Sequence, residues 1–79
     1  MSNLKFTGTV SLTIVAKGSK SERKTHIIFN DEQRYILRQR GGSSMYDSYF
    51  EQFEDNVITV SGTIHNLTFL VDSLTENKL

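Results

Sequence analysis

With 79 residues, no cysteine and a formal net charge of zero, the chain has room for one small core and no disulfide or thiolate metal site to reinforce it. No apolar run approaches the roughly 20 residues a membrane span requires. The N-terminus also lacks the charged-then-apolar order of a signal peptide, so a cytoplasmic setting without a membrane role is expected, and Asn66-Leu67-Thr68 is read as a turn rather than a glycosylation site. The charge is unevenly spread. Lys17, Lys20, Arg23, Lys24, Arg34, Arg38 and Arg40 lie close together against Glu22, Asp31 and Glu32, whereas the stretch from Asp47 to Glu76 carries acids and no base. A neutral domain with this order can still present one positive surface.

From Lys5 to Lys17, Phe6, Gly8, Val10, Leu12, Ile14 and Ala16 share one parity, and Thr7, Thr9, Ser11 and Thr13 the other. That period of two predicts a half-buried strand, with Gly8 suited to a bend or bulge. Gly18 to Lys24 is polar and rich in breakers, a mobile hairpin loop. Thr25 to Asn30 reads as a second strand of ambiguous parity, because Ile27, Ile28 and Phe29 are consecutive. After a turn at Asn30–Gln33, Arg34 to Gln39 forms a third strand. If Tyr35 and Leu37 point inward, Arg34, Ile36, Arg38 and Arg40 line up outside.

Gly41-Gly42 breaks the sheet, and Ser43 or Ser44 can cap a helix. Tyr46, Tyr49, Phe50 and Phe53 then fall on one helical stripe, with Asp47, Glu51 and Glu54 away from it. A helix this short must dock to persist, and the open end of the sheet is the natural place. Val57 to His65 alternates again, with Ile58, Val60, Gly62 and Ile64 on one parity and Thr59, Ser61 and Thr63 on the other. Asn66-Leu67 turns the chain into a last strand, Thr68 to Leu74, and residues 75–79 are expected to form a flexible tail. One domain covers residues 1–79.

The order β-β-β-α-β-β, together with Tyr35 and Leu37, the Tyr49–Phe53 helix and Val57 to Gly62 with Thr63-Ile64, resembles small bacterial OB-fold domains. The resemblance implies a mainly β fold, a five-stranded OB-fold-like Greek-key barrel with one short helix between its third and fourth strands. It also implies a ligand face on the outside of strands two and three, here Thr25–Gln39, rimmed by Gly18–Lys24 and Asn66–Leu67. The aromatic-rich motifs of cold-shock domains are absent.

Single-stranded nucleic acid is the expected ligand, held by Lys17, Lys20, Arg23, Lys24, Arg34, Arg38 and Arg40. Phe29 is the best candidate for an outward ring on this face, although its apolar neighbours favour core packing. The alternative is a protein-interaction or assembly domain, in which basic early and acidic late segments meet and an open sheet edge pairs with another chain. No enzymatic activity, metal or cofactor is expected. His26 and His65 have no ligand spacing and read as ordinary strand surface residues, and Gly41-Gly42-Ser43-Ser44 lacks the lysine of a phosphate loop.

Overall fold

The computed structural model describes residues 4–20, 22–41 and 48–77. Five strands, β1 (Leu4–Val15), β2 (Arg23–Phe29), β3 (Arg34–Gln39), β4 (Val57–His65) and β5 (Thr68–Glu76), close into a hydrogen-bonded, barrel-like ring in the order β1-β2-β3-β5-β4. All neighbours are antiparallel except β3 and β5, which run parallel from Ile36 opposite Thr68 to Gln39 opposite Val71. The expected mainly β fold, with five strands in a closed ring and one short helix between β3 and β4, is therefore the observed one. Closure buries one face of a small sheet and leaves few unpaired backbone groups.

β1 closes the ring by serving two partners. Leu4–Thr9 pairs with β4, and Thr9–Val15 pairs with β2. Gly8 sits at the changeover, where an added Cβ would lie 2.4 Å from the Phe29 carbonyl oxygen. Its role is thus close backbone approach at the bend. A second such point is Gly62, beside the register shift in β4, where a Cβ would lie 1.9 Å from the Leu70 oxygen.

The alternating strands put Val10, Ile28, Leu37, Ile58, Val60, Phe69 and Val71 inside. Edge-on rings of Phe6, Tyr35 and Phe69 continue the packing, with centroids 5.1 and 6.0 Å apart. Between β3 and β4 the observed helix is a single 3-10 segment, Ser48–Phe53, which buries Phe50 and Phe53 in the core. Each buried ring contributes about 1.5–3 kcal/mol of apolar transfer, and this docking replaces the helical propensity so short a segment lacks. The candidate caps Ser43 and Ser44, and Gly42, Tyr46 and Asp47 with them, lie outside the described residues.

The strands differ from the sequence reading in their burial and length. His26 is not a surface residue: it is only 2% exposed, on the inward parity of β2 beside Ile28. The last strand runs on to Glu76, with Thr75 and Glu76 paired to Thr59 and Ile58 of β4. Leu12 and Ile14 share the inward parity of β1 yet are 40% and 46% exposed, because β1 has left β4 by then and forms only a two-stranded ribbon with β2.

Candidate nucleic-acid interface

The outer face of β1, β2 and β3 is a grid set by register. Thr9, Phe29 and Arg34 lie in one row, and Ser11, Ile27 and Ile36 in the next. Thr13 and Thr25 make the third row, and Val15 opposite Arg23 the fourth. Residues two apart on a strand share a face at a spacing of roughly 6.6 Å. Arg23, Thr25, Ile27 and Phe29 therefore run in line along β2. On β3, Arg34, Ile36 and Arg38 do the same.

The parity left open by Ile27-Ile28-Phe29 is thus resolved: Ile28 is inside, and Ile27 and Phe29 are outside. Phe29 does not pack in the core; the residue is 37% exposed. The physical reason is the inward demand of Val10 and Ile28, which occupy the core positions at this level and leave Phe29 the solvent parity.

Two concavities lie on this face. One, of about 220 Å³, is lined by the outward Thr13, Val15, Ile27, Arg34 and Ile36, by Leu67 of the turn, and by Ile14 and Tyr35 of the opposite parity. The other, shallower and about 450 Å³, runs over Phe29 and the Asn30–Gln33 turn. Ile27 and Arg34 line both, so they form a shared wall with a cation at the junction. The turn is fixed by Asn30, whose Oδ1 accepts hydrogen bonds from the backbone of Glu32 and Gln33 at 2.8 and 2.9 Å.

Leu67 closes one side of the first concavity. It sits in the β4–β5 turn with φ of 65°, after Asn66 at 48°, a left-handed pair suited to a two-residue hairpin. A leucine there costs about 1–2 kcal/mol relative to a residue that adopts this conformation freely. Its side chain is nevertheless 68% exposed, while its carbonyl accepts the Ile36 N–H at 2.9 Å. Sequence reasoning marked this turn as a rim but did not single out Leu67 as a lining residue of the concavity. The available signal was a leucine where asparagine or glycine is the usual choice.

The expected cations separate into groups. Arg34 is exposed on the outer face, and Arg38 is half-buried on the same parity. Arg23 starts β2 on the outward parity, whereas Lys24, also exposed, follows the opposite parity with His26. Lys17 and Lys20 are exposed on a loop that folds back on itself: Ser19 Oγ donates to the Ala16 oxygen at 2.7 Å, and the Gly18 N–H donates to Glu22 Oε1 at 2.8 Å. Arg40, just past the end of β3, is exposed but its guanidinium is engaged within the fold. Its guanidinium bonds Asp72 of β5 and the Thr63 hydroxyl of β4, which ties the end of β3 across the ring.

Away from this face, the inward His26 meets Glu54 just past the 3-10 helix, Nε2 to Oε2 at 2.7 Å, with the Phe50 ring 6.2 Å away. His65 is exposed at the end of β4, so the two histidines belong to different environments. Among the described residues no three His, Asp or Glu side chains converge as a metal-binding group. No family model, curated protein or solved structure is significantly similar to the chain.

Proposed function

We propose that the outer face of β2 and β3 binds single-stranded nucleic acid. The observation carrying this reading is Arg34, shared by two concavities and directly opposite the outward Phe29. Successive bases would lie in the cleft over Ile27 and Ile36 and on the Phe29 ring, with the intervening phosphate at Arg34. Ring stacking tolerates any base, and cations at Arg23, Arg34 and Arg38 would follow the backbone, helped by Lys17, Lys20 and Lys24 near the ribbon tip. Asp31 and Glu32 beside Phe29 repel phosphate, which confines the backbone to the arginine side.

Labelled poly-pyrimidine and mixed single strands titrated at low and physiological salt test this. Saturable binding is expected, with amide shifts at Thr25–Arg38 and the Lys17–Lys24 loop. Phe29→Ala should weaken it by about 1–3 kcal/mol, or roughly 5- to 150-fold. Arg34→Ala should make the log–log salt slope shallower by about 0.7. Absence of binding at low salt overturns the reading. A second reading, capture of a protein segment on the same face, draws on the exposed Leu67 beside Ile36. Under it, a peptide rather than an oligonucleotide would bind, and binding would be insensitive to salt.

A further inference from the structure

We infer that this chain self-associates through β1, by antiparallel pairing of Ser11–Val15 with the same segment of a second copy. The argument starts from backbone accounting. Val10 is the last β1 residue whose backbone is paired with another segment on the β4 side: its N–H donates to the Asn56 oxygen at 3.0 Å, and its oxygen accepts the Asp55 N–H at 2.7 Å, whereas the Leu12 oxygen accepts only a long bond from the neighbouring Ser11 Oγ, at 3.5 Å. By strand alternation, Leu12 and Ile14 direct their N–H and C=O groups toward that same side. β4 has ended its pairing at Thr9, and among the described residues no other strand takes its place. At the far end, Ala16 with φ of 54° turns the chain away. The open edge is therefore bounded at both ends.

Natural edges of this kind are usually blunted by lysine, proline or a bulge. The open β2 edge of the ribbon follows that rule, with Arg23 and Lys24 along it. The β1 edge reads Ser-Leu-Thr-Ile-Val, without charge or proline. It is also self-complementary. A two-fold axis at Thr13 sets Leu12 of one copy opposite Ile14 of the other, so each such pair exchanges both backbone hydrogen bonds. The same pairing covers the two apolar side chains the ribbon leaves exposed, Leu12 and Ile14. Charge agrees: this register brings the turn carrying Lys17 level with Asp55 of the second copy, next to Val10. Both are exposed, and both stand at the limits of the open edge. Thr13 lies on the outer face, so pairing would also join the outer faces of two copies into one surface.

So short an edge makes a weak interface, and sedimentation of the unmodified protein should show monomer–dimer exchange between about 10 μM and 1 mM. The chain has no cysteine, so a single introduced thiol reports the register. In Thr13→Cys, the two thiols meet at a non-hydrogen-bonded pair about 4.5 Å apart at Cα, within disulfide reach. Mild oxidation should cross-link it at least ~10-fold faster than Ser61→Cys, a control of similar exposure on the outward parity of β4. Adding Leu12→Lys should suppress both the dimer and the cross-link. A monomer at 1 mM, equal cross-linking of the two cysteine variants, or association that survives Leu12→Lys overturns the inference.

Discussion

Glu54 is the acceptor that makes a buried histidine tolerable in this core, and its truncation should cost more than a surface substitution. The His26 side chain is 1% exposed and that of Glu54 is 35% exposed, at a separation of 2.7 Å. Glu54→Ala removes the acceptor from an imidazole nitrogen held among Ile28 and Phe50. Leaving a buried polar group without its bond costs about 1–3 kcal/mol. Water can approach from the Glu54 side, which puts the expected loss in the lower half of that range. For a domain of this size, each kcal/mol lowers the thermal midpoint by roughly 4–8 °C, so a fall of about 5–15 °C is expected. The diagnostic experiment adds His26→Leu. If the loss comes from the exposed need of the imidazole, the double variant should recover part of it, because no polar group then remains to satisfy. Glu54→Gln, which keeps an acceptor oxygen, should fall between wild type and Glu54→Ala. Calorimetric or circular-dichroism melts of these variants decide the matter. A Glu54→Ala protein that melts with wild type, or a double variant as unstable as the sum of its parts, refutes the reasoning.

Gly62→Ala should lower the urea midpoint by an amount equivalent to at least ~2 kcal/mol, since its Cβ would meet the Leu70 carbonyl rather than a movable side chain. A midpoint equal to wild type would mean that β5 does not approach β4 as described. Leu67→Gly should leave stability within about 1 kcal/mol, because relief of the left-handed leucine offsets the added freedom of glycine in the unfolded chain. The same substitution should weaken ligand binding several-fold, measured in the titration above, as it removes a wall of the cleft. Arg40→Ala should reduce stability by roughly 0.5–1 kcal/mol and leave the salt slope of binding unchanged, in contrast to Arg34→Ala. A loss of slope in the Arg40 variant would return that residue to the binding surface.

The strand order was legible because binary pattern and breakers agree over most of the chain. β3 and β4 fall where the alternation ends, at Arg34–Gln39 and Val57–His65. The parts that were not legible depend on what a strand faces. Consecutive Ile27, Ile28 and Phe29 give no parity, and only pairing to β1 assigns Ile28 to the core and Phe29 to the outside. His26 resembled a surface residue because its acceptor lies 28 positions later, beyond the 3-10 helix. Arg40 continued the alternation of Arg34 and Arg38, but the parallel contact of β3 with β5 brings Asp72 to it. Leu12 and Ile14 matched an inward parity, which local pattern cannot distinguish from burial when the opposing strand is missing.

That last distinction bears on how the surface should be read. Single exposed apolar residues are ordinary and need no account, and Leu4, Val57 and Ile64 are of this kind. Tyr49 is covered on one side by the Phe50 and Phe53 rings, at 5.2 and 5.7 Å. The remaining exposed apolar side chains are not scattered. Leu12 and Ile14 follow an uncharged backbone edge, while Phe29 and Leu67 bracket the Ile27–Ile36 row. A small chain gains core stability by turning apolar residues inward, and here four large ones are kept outside in two coherent groups. Leu67 additionally occupies a strained backbone position where asparagine or glycine would serve the turn better. The two groups differ in kind, one a backbone edge and one a side-chain cleft beside arginine, which is why two separate proposals, a second copy and a single strand, are attached to them.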